Sequence, residues 1–140
     1  MKRSGDNLKQ IMTVIVRTFE PLEVSGQKEK AVMIPFSAKA VGSYFSGETV
    51  VNGYDTQLSK ADGAFSLSAR YILEGKDFKG NECRLFIENN GTDLNDCRPH
   101  IISDSPELCF LESAELRSEV RCVEDGVIVS IFMQDETSDV

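Results

Sequence analysis

The chain has 140 residues, of which 41% are hydrophobic, and carries a formal net charge of -8. That length and apolar content suit one domain, 1–140, able to bury a core without covalent staples. The acidic balance argues against general affinity for nucleic acid or an anionic membrane, since both are polyanions, and favours a neutral or cationic small ligand.

No stretch approaches the roughly 20 apolar residues needed to span a bilayer. The start, MKRSGDNLKQ, has basic residues but no apolar run before a cleavage site, so the expected location is cytoplasmic. Cys83, Cys97, Cys109 and Cys122 are spread without a CxxC pair, which is neither zinc-ligand nor redox spacing. They are expected to be reduced structural thiols, with no metal. Asn90-Gly91-Thr92 matches the glycosylation sequon, but without a secretion signal it reads as a turn.

Period-two alternation, β-branched residues and turn signals recur along the chain, which predicts strands joined by short loops. A first strand covers Leu8 to Val16 and is apolar on both faces at its centre. A charged loop, Glu20 to Lys30, leads to a second strand over Ala31 to Val41. Pro35 inside it demands a bulge or an edge, because proline cannot donate to a ladder. Next comes GETVVNGYDTQLS, in which Asn52-Gly53 between two β-favouring runs predicts a two-residue type I′ hairpin. Pairing Val51 with Tyr54 places Phe45, Thr49, Tyr54 and Leu58 on one face, and Glu48, Asp55 and Gln57 on the other. That second face either meets water or lines a wet cavity.

The strand AFSLSARYIL sets Phe65, Leu67, Ala69, Tyr71 and Leu73 against Ser66, Ser68 and Arg70 on its back. In ECRLFIEN, Cys83, Leu85, Ile87 and Asn89 share a face. Matching the apolar faces sets Tyr71 opposite Leu85, Ala69 opposite Ile87 and Leu67 opposite Asn89. Asn89 is then a polar intruder on a core face, serving either as a structural peg or as a ligand contact. Asn90 to Glu107 reads as a long loop holding His100, the sole histidine, which reads as a surface residue. In LCFLESAELRSEVRCV two signals compete. Ser105-Pro106-Glu107 looks like a helix cap and first turn, whereas alternation, the preferred reading, gives a strand with Phe110, Ala114, Leu116, Val120 and Cys122 on one face. Glu112 would then be a second polar intruder. Glu124-Asp125-Gly126 supplies a turn into the last strand, VIVSIFM, and residues 1–6 and 135–140 are expected to fray.

The stretches VGSYFSGETVVNGYDTQ, LSARYIL and LFIENNG together resemble the domain of unknown function 3237 family. The matched positions are Gly42, Gly47, Gly53, Asp55, Arg70, Tyr71, Asn89 and Gly91. The chain departs from that pattern where Leu111-Glu112-Ser113 replaces an Arg-Thr-Thr run, and in a shortened Glu124-Asp125-Gly126 connection. The resemblance implies a single antiparallel β-barrel, lipocalin-like, with no established common activity. Eight to ten strands are compatible with closure at this length, which removes sheet edges and leaves an interior for side chains or one small ligand.

Glycine-rich phosphate loops, HExxH and GxSxG are missing from the sequence, and no cofactor is expected. The first functional expectation is a small-molecule-binding barrel with acid-base chemistry of an isomerase or lyase kind. Asp55 or Glu112 would be the base, with Tyr71, Arg70, Asn89 and Gln57 as ligand contacts. Arg70 and Tyr71 face opposite ways, so at most one of them enters the lumen. The alternative is a non-catalytic module that forms a homo-oligomer, because Ile11, Ile15, Phe86, Ile128 and Phe132 load both faces with apolar side chains.

Overall fold

The computed structural model describes residues 7–134, so the terminal segments expected to fray lie outside the described residues. The described chain is all β apart from one 3-10 helix. The strands are β1 (Leu8–Thr18), β2 (Leu22–Ser25), β3 (Glu29–Gly42), β4 (Phe45–Thr49), β5 (Gly53–Lys60), β6 (Phe65–Asp77), β7 (Glu82–Gly91), β8 (Cys97–Ser103), β9 (Leu116–Val123) and β10 (Gly126–Gln134). All pairings are antiparallel, in the order β1-β10-β9-β8-β7-β6-β4-β3, and β3 returns to β1 so that the sheet closes on itself. Strands β4 and β5 share one position, each lying between β3 and β6, while β2 is an addition on one end of β3. The result is a closed barrel with eight strand positions.

The Asn52-Gly53 hairpin is not formed. β4 and β5 do not pair with each other, and neither Asn52 nor Gly53 has a positive φ. The chain runs straight on from β4 into β5 and throws out a bulge on the way. Thr49 pairs with Leu73 and Tyr54 with Arg70, so four residues on one strand face two on the other. Val50 and Val51 are pushed into solvent at 70% and 73% exposure. The Thr49 hydroxyl accepts from the Ala38 N–H at 3.0 Å, replacing a ladder bond at the bulge. Two extra residues preserve the inside-outside alternation, so Asp55 and Gln57 continue the inward face of Phe45, and Tyr54 and Leu58 point out. That is the reverse of the face assignment that a hairpin would dictate.

Pro35 lies where β3 changes partners, between its pairings with β2 and with β1. Its carbonyl accepts from Phe19 N–H at 2.9 Å, so its nitrogen points into the same break, where no donor is needed. The faces expected for β6 and β7 hold, but the register is displaced by two residues: Tyr71 faces Ile87, Ala69 faces Asn89 and Leu67 faces Gly91. The expected long loop contains β8, where Cys97, Pro99 and Ile101 point in and Arg98, His100 and Ile102 point out.

The segment after it divides between the two competing signals. Ser105 caps a 3-10 helix over Pro106–Glu112, and alternation resumes in β9, where the ladder to β10 outweighs helix propensity. Leu116 and Val120 lie on the inner side as expected, whereas Phe110 sits exposed on the helix. Leu108 and Leu111 of the helix are buried with Phe45, Leu73, Leu85 and Ile131, and plug that end of the barrel. The plug is anchored by Asp77. Its Oδ2 accepts from the Ser105 hydroxyl at 2.8 Å, and its Oδ1 accepts from the N–H groups of Lys79 and Asn81. Burial pushes this carboxyl up, but those donors outweigh it and hold it below its ordinary range. Ile11 is 2% exposed, because a bulge between Gln10 and Met12 turns it inward.

Candidate functional site

Opposite the plugged end, the lumen opens into a cavity of about 180 Å3. Its wall is mostly aliphatic and aromatic, from Val16, Phe36, Leu67, Leu94, Val120 and Val129, and its polar residues include Asp55, Gln57, Tyr71 and Asn89. The register explains why these four meet. Asp55 on β5 faces Ala69 on β6, which faces Asn89 on β7, so one inward row reads carboxylate, methyl, amide. Two strand spacings put the Cα atoms of Asp55 and Asn89 about 10 Å apart. The small side chain of Ala69 leaves the space between them open. Tyr71 stands two residues along β6 from Ala69, diagonal to both, and its ring packs edge-on against Phe36 with centroids 5.2 Å apart.

Asp55 is held by one contact. Gln57 Nε2 donates to its Oδ2 at 2.9 Å, while Oδ1 is buried without a hydrogen-bond partner. Burial pushes the carboxyl above its ordinary value, and the Gln57 bond offsets this only in part. Asn89 is 5% exposed, and its Oδ1 accepts from the Ser118 hydroxyl at 2.9 Å. That bond makes Oδ1 the acceptor and leaves Nδ2 as a donor on the cavity side. The Tyr71 hydroxyl makes no hydrogen bond among the described residues, and burial raises its pKa beyond the usual phenol range. The site therefore offers a base or acceptor on β5, an amide donor on β7 and a phenol donor on β6 between them.

Two expected site residues are elsewhere. Arg70 points outward and pairs with Glu88 at 2.8 Å, as the alternation of β6 requires. Glu112 ends the 3-10 helix in solvent rather than lying on a strand face, so it is no partner for Asp55. His100 is also outside, 3.8 Å from Glu88. The cysteines are all free thiols: Cys83 and Cys97 are buried as expected, whereas Cys109 and Cys122 are exposed. Cys122, which alternation sets on one face with Val120, and Thr18, which lies beyond the expected first strand, also border the cavity, though neither was a candidate site residue. Ala69 was legible only as an inward residue; its role as a spacer depends on the register. Among the described residues no group of three His, Cys, Asp or Glu side chains converges as a metal site would require. A larger groove, about 490 Å3, lies near Glu74, Lys76, Glu82, Arg84 and Asp104; Arg84 pairs there with Glu74, and its backbone N–H donates to Asp104.

A closed antiparallel barrel with a polar cluster in an apolar end cavity is the class of protein these features define. No family model matches the chain. A UPF0311 protein of Clostridium acetobutylicum is 30% identical over 89 residues, 61% of this chain and 53% of that protein, so the chain spans about half the length of this curated relative. A crystal structure of a protein with unknown function from the same species superposes with a TM-score of 0.78 at 20% identity, covering 92% of this chain and 99% of that one. An enzyme from Penicillium herquei gives 0.75 at 11% identity, over 92% and 94%. A β-barrel-like protein of Acinetobacter baumannii gives 0.71 at 16% identity, over 90% and 94%. At those identities the likeness concerns the fold alone. Among the described residues no helix is long and apolar enough to cross a membrane.

Proposed function

We propose that this barrel binds a small, largely apolar molecule in its end cavity and that Asp55 exchanges a proton with it. One observation carries the reading: Asp55 Oδ1 is buried and unpartnered in a mostly apolar wall. Leaving such an oxygen without a donor costs the fold on the order of 1–3 kcal/mol, so its presence calls for a compensating role. A carboxylate raised by burial is also better matched to proton transfer near neutral pH than a solvated one. The resemblance to the domain of unknown function 3237 family agrees with this, since Asp55, Tyr71 and Asn89 are among the matched positions, though that family brings no activity. The test is a fragment screen by ligand-observed NMR on wild type and Asp55→Asn. The reading expects small-ring ligands whose binding weakens at least tenfold in the variant, and equal binding to both proteins would sink it.

A second reading rests on the outer surface. Leu22 and Val24 on β2 face Met33 and Ala31 on β3, next to Leu58 and Tyr54 on β5, and Leu22 and Val24 are 73% and 72% exposed. An apolar face of this kind beside the free edge of β2 suits a contact between two copies of the chain. Mass in solution, by light scattering, should fall to that of a monomer in Met33→Glu. A wild-type monomer would remove this reading and leave the first untouched.

A further inference from the structure

Resting on the proton-exchange reading, we infer that the molecule taken is a single-ring carbonyl compound with an acidic C–H beside its carbonyl, and that the reaction is enolisation. Size sets the first limit. A dry cavity of about 150 Å3 accommodates benzene, so this one, at about 180 Å3, admits one ring with a small substituent. Charge sets the second, because no Lys, Arg or His lines the cavity, and a carboxylate or phosphate would be buried without a counter-ion. Polyols are equally unsuited, since most of the wall offers them no partner.

What remains is a neutral molecule with one polar end, and the row Asp55–Ala69–Asn89 fixes its direction. Asn89 Nδ2, without a partner among the described residues, suits a carbonyl oxygen on the β7 side of Ala69, and the Tyr71 hydroxyl on β6 is a second donor in the same cavity. Asp55 Oδ1 then lies on the other side, where the carbon next to the carbonyl would sit. In the step, Oδ1 takes the proton from that carbon and the C–H pair becomes a C=C bond. The carbonyl π pair moves onto oxygen, giving an enolate held by the Asn89 and Tyr71 donors. Protonated Asp55, whose proton exchanges with water during the life of the enolate, returns a proton to that carbon or, in a β,γ-unsaturated substrate, to the γ carbon, which shifts the double bond into conjugation. Atoms and electrons balance without an oxidant or co-reactant. The arrangement uses one carboxylate as both base and acid, with neutral donors opposite.

The test uses cyclohex-3-en-1-one and follows formation of its conjugated isomer by ultraviolet absorbance, with deuterium uptake from D2O read by mass spectrometry. Wild type should accelerate both. Asp55→Asn should lose at least 100-fold in turnover at saturating ketone, a loss beyond the roughly tenfold weaker binding expected of this variant, since the base acts in the transition state. Tyr71→Phe and Asn89→Leu should each lose about 10- to 100-fold, with melting temperatures showing that the variants are folded. If the ketone, phenol or toluene binds wild type but neither isomerisation nor exchange exceeds that of Asp55→Asn, the substrate class is wrong and the binding reading survives. If none of the three binds at millimolar concentration, both fall. Full activity in Asp55→Asn would likewise overturn the inference.

Discussion

A carboxyl group with one oxygen paired to an amide and the other buried unpaired favours its protonated form, because burial penalises charge more than a single hydrogen bond restores. For Asp55 this makes the folded pKa higher than the unfolded value of 3.8. The folded chain therefore holds its proton where the unfolded chain would release it, a contribution fully present below pH 3.8 and lost as pH rises through the folded pKa. At neutral pH wild type carries the whole penalty. Asp55→Asn cannot ionise and should melt higher than wild type at pH 7, with the gap closing as pH falls towards 4. Thermal melts at several pH values check this, and a gap that is absent or independent of pH would show that Asp55 is not desolvated. In the sequence Asn89 stands out as a polar residue on an apolar face, whereas Asp55 and Gln57 are candidates through the polar face they share and Tyr71 through the family resemblance. The sequence also separated Tyr71 from Arg70 by alternation alone. It misplaced Glu112, whose side depended on a strand reading that the 3-10 helix replaces.

The element that decides the site is the bulged passage from β4 to β5. A hairpin would give each strand the other as a partner, whereas running them in series gives both a ladder to β3 and a ladder to β6 and so closes the barrel. That advantage is non-local and cannot be read from the Asn-Gly pair. Most of the strands are legible, because their periodicity is local, but β2 and β8 lie in segments that read as loops. Register is not legible, since a slip of two residues between β6 and β7 leaves every face unchanged. Gly53 is needed for space rather than for φ. A Cβ there would stand 2.6 Å from Tyr71 Cβ and 2.8 Å from both the Arg70 carbonyl oxygen and Phe36 Cζ. Gly53→Val should therefore cost about 1–3 kcal/mol by overpacking against the cavity wall. Asn52→Ala, at an exposed position with ordinary φ, should stay within about 0.5 kcal/mol. Urea unfolding separates the two, and a large loss in Asn52→Ala would restore the turn.

At the scale of the whole barrel, closure is uneven. Long ladders join the other neighbours around the ring, but β8 and β9 meet only at Cys97 and Ser118, supplemented by Val120 N–H donating to the Leu94 carbonyl. Pro99 occupies the middle of β8 on this side of the barrel and has no N–H to offer. The seam is bridged on its inner side by the buried bond from the Ser118 hydroxyl to Asn89, the residue that also faces the cavity, and Leu94 above it forms part of the cavity wall. Opening of the seam and access to the site are therefore linked through Asn89. A segment with few cross-strand bonds opens at lower free energy than one with full ladders. Hydrogen exchange should accordingly proceed first in peptides covering Leu94–Ser103 and Leu116–Val123, and last in β6 and β7. Ser118→Ala strips the bridge and leaves Asn89 Oδ1 buried without a donor, a loss of about 1–3 kcal/mol. It should speed exchange in those two segments while leaving β6 nearly as protected as in wild type, and uniform acceleration around the ring would refute a local seam.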